Sequence, residues 1–117
     1  MPERTTLSFQ TLDVYKCAIE FLSLVHQTVD QLPRGNAKLV DQLARASSSV
    51  PLNIAEGYGK RTKRERAHYY STARGSAMEC AASFDVFLAR RLISPSTHED
   101  AMRLIDRIIA MLTKMSS

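Results

Sequence analysis

Three groups of residues in this chain could do chemistry, and each asks for a different reaction. The first is a basic window, Lys60, Arg61, Lys63, Arg64 and Arg66 around a single Glu65, followed by His68, Tyr69 and Tyr70. Guanidinium and ammonium groups contact phosphates, and rings beside them stack on bases, so this pattern points to RNA or DNA. The chain's net charge is only +4, and residues 60–66 alone carry that whole excess. Attraction for a polyanion is therefore concentrated on one turn and one helix start. The plainer reading is a solvated turn, with Tyr70 taken by the core.

The second group is a pair of carboxylates, Glu56 and Glu79, on two helices expected to touch. A buried carboxylate must be hydrogen-bonded or paired. Arg45, Asn53, Arg74 and Ser76 are placed to supply the partners, so the six read as a structural polar cluster that fixes register or an oligomer contact. Ligand binding and acid–base catalysis are the alternatives. The third group is Glu65-x-x-His68, the spacing that di-metal four-helix bundles use. Such a site needs a second copy, the sequence has none, and Arg64 and Arg66 repel a cation. No metal, cofactor or catalytic residue is expected. The chain also lacks a phosphate-binding glycine loop, a nucleophile elbow and zinc-ligand spacing. His26 is expected in the core or at an interface, His98 in solvent, and Cys17 and Cys80 as small buried hydrophobes.

The elements that position these groups are all helical. Helix one is expected over about 12–32, helix two over 37–56, helix three over 64–91 and helix four over 95–115. No segment alternates as a strand does. Helix one carries two adjacent apolar stripes, one through Leu12, Tyr15, Ile19, Leu22 and Val29, the other through Val14, Ala18, Phe21, Val25 and Leu32. That is wider than one bundle face requires, which points to burial against a second subunit. In helix two, Leu43, Ala46, Val50 and Ile54 form the apolar face, and Gly57 is the expected C-cap. Pro51 inside it removes a main-chain hydrogen bond, so a kink is expected there. Tyr70, Ala73, Ala77, Cys80, Phe84 and Phe87 form the seam of helix three, where Ala73, Gly75, Ser76 and Ala77 leave room for a close backbone. Helix four opens with a Ser94 N-cap and Pro95, and Ala101, Leu104, Ile105, Ile108, Ile109, Leu112 and Met115 form its stripe.

With 117 residues, 44% of them hydrophobic, the chain is long enough for one core and one domain. Four helices with short connections make an all-α, antiparallel up-down-up-down four-helix bundle, with helix two kinked near Pro51, the economical arrangement. The opening MPERTTLSFQ lacks the apolar core of a signal peptide and no run is long enough to span a bilayer, so a cytoplasmic protein without a membrane partner is expected.

Two motifs carry a resemblance. Arg45-Ala-x-x-Ser-Val-Pro-x-Asn-Ile-Ala-Glu-Gly-x-Gly-Lys60 and Ala73-Arg-Gly-Ser-x-x-Glu79 resemble the bacterial four-helix-bundle proteins named after the 23S rRNA intervening sequence, over about Tyr15 to Leu112. Members often have arginine where Lys60 stands and phenylalanines where Arg66 and Tyr69 stand. The resemblance implies an antiparallel bundle that assembles as a ring, a homopentamer, and implies that Asn53, Glu56, Gly57, Gly75, Ser76 and Glu79 are shared scaffold positions. A more distant similarity is to the accessory proteins of diversity-generating retroelements, which work with a reverse transcriptase and nucleic acid. The leading expectation is thus a non-enzymatic oligomeric scaffold that binds RNA or DNA through Lys60, Arg61, Lys63, Arg64, Arg66 and Tyr69. The alternative is a protein–protein adaptor whose partner is encoded nearby, and more remotely a small metal-binding or enzymatic bundle.

Overall fold

A computed structural model describes residues 4–117. A single 3₁₀ turn at Ser8–Thr11 leads into four α-helices: α1 Asp13–Asp30, α2 Ala37–Tyr58, α3 Lys63–Ala89 and α4 Pro95–Met115. Among the described residues there is no strand. Each helix packs on the next in sequence, and α1 also packs on α4. The diagonal pairs keep their backbones apart and meet through side chains, as where the Phe21 and Phe84 rings lie 5.9 Å apart.

The core follows the sequence's periodicity closely. Leu43, Ala46, Val50 and Ile54 of α2 are buried, as are Tyr70, Ala73, Ala77, Cys80, Phe84 and Phe87 of α3, the whole of the expected seam. Ala101, Ile105, Ile108 and Leu112 close the core from α4. On α1 only one of the two stripes goes in. Val14, Ala18, Phe21 and Val25 are buried, whereas Ile19 is 40% exposed and Tyr15, Leu22 and Val29 are half-buried.

The chain's turns are built by local side-chain chemistry. Ser94 caps α4 by accepting from the Thr97 amide, with Pro95 at the first helical position. At the end of α3, the Leu92 amide donates to the Phe87 carbonyl and the Arg91 amide to the Leu88 carbonyl. That is a Schellman closure, which puts its capping residue in the left-handed region. Here that residue is Arg91 rather than glycine, with φ of 60°. Between α1 and α2, Gly35 takes φ of 99°, a conformation glycine adopts without strain.

Helix α2 runs one residue beyond the expected C-cap, to Tyr58, and Gly59 takes the capping position. Gly57 is instead buried inside the helix. A Cβ there would stand 2.9 Å from Tyr69 Cβ and 2.9 Å from Tyr70 Cε1, so the glycine is needed to let α3 approach. Gly75, expected to give such room on α3, does not serve that purpose: a Cβ there would meet nothing within 4 Å. Pro51 is buried, and α2 continues through it.

Candidate nucleic-acid interface and polar cluster

The basic turn is fixed by its own side chains before any partner arrives. Thr62 caps α3: its hydroxyl accepts from the Glu65 amide at 3.1 Å and donates to the Glu65 carboxylate at 2.9 Å. The spacing Thr62-x-x-Glu65 is a recognisable helix-start signature that the sequence reading passed over. Arg66, in the next turn, folds back so that Nη1 donates to the carbonyls of Lys60 at 3.1 Å and Arg61 at 3.0 Å. One guanidinium thus ties together two carbonyls that no helix satisfies.

Lys60 is also engaged. Its ammonium lies 3.9 Å from the Glu56 carboxylate and 5.2 Å from the centre of the Tyr69 ring, a cation–π distance. Tyr69 is half-buried, held at its Cβ beside Gly57, with His68 edge-on at 5.3 Å. Tyr70 points into the core, and burial raises its phenol above the usual range, with the Arg66 charge pulling the other way. The remaining cations, Arg61, Lys63 and Arg64, are exposed and have no hydrogen-bond or ion-pair partner among the described residues. The six expected contact residues therefore divide into three that build the turn, Lys60, Arg66 and Tyr69, and three that face solvent.

The polar cluster is smaller than expected and has a different centre. Ser49 is its hub: its hydroxyl accepts from Asn53 Nδ2 at 2.9 Å and from the Ser76 hydroxyl of α3 at 2.8 Å. Asn53 also donates to the Ser49 carbonyl at 2.8 Å. The run Ser47-Ser48-Ser49 hides the hub, because only the third serine has both the right helical phase and a partner four residues on. Glu56 is not in the cluster; it lies at the surface beside Lys60, one helical turn away. Arg74 is not in it either. Its Nε donates to the Thr113 hydroxyl of α4 at 2.8 Å, because its place on α3 faces that helix rather than α2. Arg45 and Glu79 flank an open cleft of about 540 Å³ between α2 and α3, with Ser49 and Ser76 on its walls.

Of the histidines, His98 falls elsewhere than expected and His26 lies at the subunit's surface. His26 is not in the core: its side chain is 78% exposed, 3.5 Å from Asp30 one turn on. His98 is not solvated; it lies largely covered, 2.7 Å from the Asp85 carboxylate, bridging α4 to α3. Among the described residues no three His, Cys, Asp or Glu side chains converge as metal ligands, and Glu65 is committed to Thr62. Both cysteines are free and buried. Burial pushes the Cys80 thiol up to about 12, helped by the Glu79 charge, and raises that of Cys17 as well, so neither is a nucleophile at neutral pH.

Two areas with exposed apolar side chains stand out among the described residues. One is a groove between α1 and α2, lined by Phe9, Tyr15, Ile19, Leu22, Pro51 and Leu52, with Leu52 68% exposed. The other is a stripe on α3 through Gly75, Met78, Ala82 and Val86. Among the described residues no helix is long and apolar enough to cross a membrane.

A search of the curated proteins finds no match. The family model described as 23S rRNA-intervening sequence protein matches residues 10–114, which takes in all four helices but for the last residue of α4, together with the basic turn and the Ser49 cluster. With nearly its whole length matched and an all-α fold of four helices, the chain belongs to the 23S rRNA-intervening sequence protein family.

Proposed function

We propose that this protein is a non-enzymatic, cytoplasmic scaffold that assembles with copies of itself into a ring, a homopentamer, and binds RNA or DNA through the turn between α2 and α3. The observation that carries this is the set of three exposed cations, Arg61, Lys63 and Arg64, unpaired among the described residues, on a turn already clasped by Arg66. Repeating that turn around a ring multiplies a weak contact by avidity.

The bundle reading that goes with it is antiparallel, up-down-up-down, with a bend in α2 at Pro51. Its support is that contacts run in opposite directions along neighbouring helices. Ser49 meets Ser76 and Gly57 meets Tyr69, while Asp85 meets His98 and Arg74 meets Thr113. The missing amide of Pro51 supports the bend. Self-assembly is supported by the two areas with exposed apolar side chains, since a ring needs two different patches, one on each side of a subunit.

Native mass spectrometry on protein purified in low salt tests the assembly and the ligand together. The expected species is a pentamer carrying heterogeneous nucleic-acid mass, and that mass is lost when Arg61, Lys63 and Arg64 are changed to glutamate. A pentamer free of nucleic acid moves the role to a protein–protein adaptor whose partner is encoded nearby, with the turn meeting an acidic surface. A monomer overturns the ring.

A further inference from the structure

The bonding of the turn dictates which part of a nucleic acid it reads, an inference that rests on the nucleic-acid role proposed above. Base stacking needs a ring with a free face and room to move. Tyr69 has neither. One side of its ring is under the Lys60 ammonium at 5.2 Å, its Cβ is pinned where α3 crosses Gly57, and His68 sits edge-on at 5.3 Å. Tyr70 is in the core. The groups left over, Arg61, Lys63 and Arg64, are long cations on an exposed helix start, with no carboxylate to displace among the described residues. Cations of this kind neutralise phosphates and carry no information about sequence.

We infer that the turn reads the sugar–phosphate backbone alone. RNA and DNA of any sequence then bind according to their phosphate density, and the bases add nothing. The rings that could contradict this are Tyr58, the last residue of α2, which is 42% exposed, and His68, which is also exposed.

The test is fluorescence anisotropy with three labelled strands of equal length: mixed-sequence RNA, mixed-sequence DNA, and an abasic DNA strand that keeps every phosphate and no base. The abasic strand is expected to bind within about two-fold of its mixed-sequence counterpart, since losing even one stacked base weakens binding by about five-fold or more. Between about 50 and about 200 mM salt, the log–log slope is expected to fall by about two units per engaged turn when Arg61, Lys63 and Arg64 are all changed to glutamine. Tyr58→Ser and His68→Ser are each expected to change nothing. An abasic strand at least about five-fold weaker, or a loss of binding in Tyr58→Ser or His68→Ser, overturns backbone-only reading while leaving nucleic-acid binding in place. Absence of binding to all three strands at low salt overturns both.

Discussion

A single serine, Ser49, joins α2 to α3, and it does so by accepting from both sides. Asn53 supplies one donor and Ser76 the other. Replacing Asn53 by leucine removes two hydrogen bonds at a half-buried site. It takes one of two donors from the Ser49 hydroxyl, which keeps only the one from Ser76. The expected cost is about 1 kcal/mol, read as a lower midpoint in urea with an unchanged slope; an unmoved midpoint would mean that water replaces the amide freely. The types of residue in this cluster were legible in the sequence, and Asn53 and Ser76 do meet through it. Its membership was not. Arg74 and Glu56 have side chains long enough to reach several neighbours, so helical spacing alone does not decide which one they choose. Short side chains such as Ser49 have one reach and one direction, and they settle the contact.

At the scale of elements, two positions break ordinary preference for opposite reasons. Gly57 lies in mid-helix, where alanine would be favoured by roughly 1 kcal/mol. Yet the Cβ of alanine would stand 2.9 Å from Tyr69 Cβ, an atom fixed to the α3 backbone. Gly57→Ala is therefore expected to destabilise the fold by about 1 to 3 kcal/mol, lowering the thermal midpoint. A rise in that midpoint would show that α2 and α3 separate at no cost. Arg91 is the reverse case, a side chain where the closure of α3 asks for glycine. Arg91→Gly is expected to stabilise by about 0.5 to 1 kcal/mol, measurable by the same melt, unless the arginine side chain makes up the difference. The helices themselves were legible because apolar residues at spacings of three and four have one consistent solution, and the α3 seam appears in the structure residue for residue. The end of α2 was not. A glycine near a helix end reads as a cap in sequence, and only the crossing of another helix distinguishes it from a packing glycine.

For the whole molecule, the question is what Gly75 is for. It is exposed in the middle of the longest helix, and no neighbour in the chain needs its small size. Gly75→Ala is expected to raise the stability of the isolated chain by about 0.5 to 1 kcal/mol. If another copy packs its backbone against that stripe, the same change weakens assembly, so the variant should melt higher when dilute while sedimenting as a smaller species. Unchanged sedimentation would place the contact between subunits elsewhere, with the Leu52 groove as the remaining surface. The clasped turn has one further consequence, for survival in the cell. Its lysines and arginines are the densest cluster of tryptic cleavage sites in the chain, so by sequence it is where a protease should cut first. A protease needs an extended strand in its cleft, and here the chain is bound up by Arg66 and by the Thr62 cap. Nicking at this point has to wait for the first turn of α3 to open, which makes the rate of trypsin cleavage a clock for that opening.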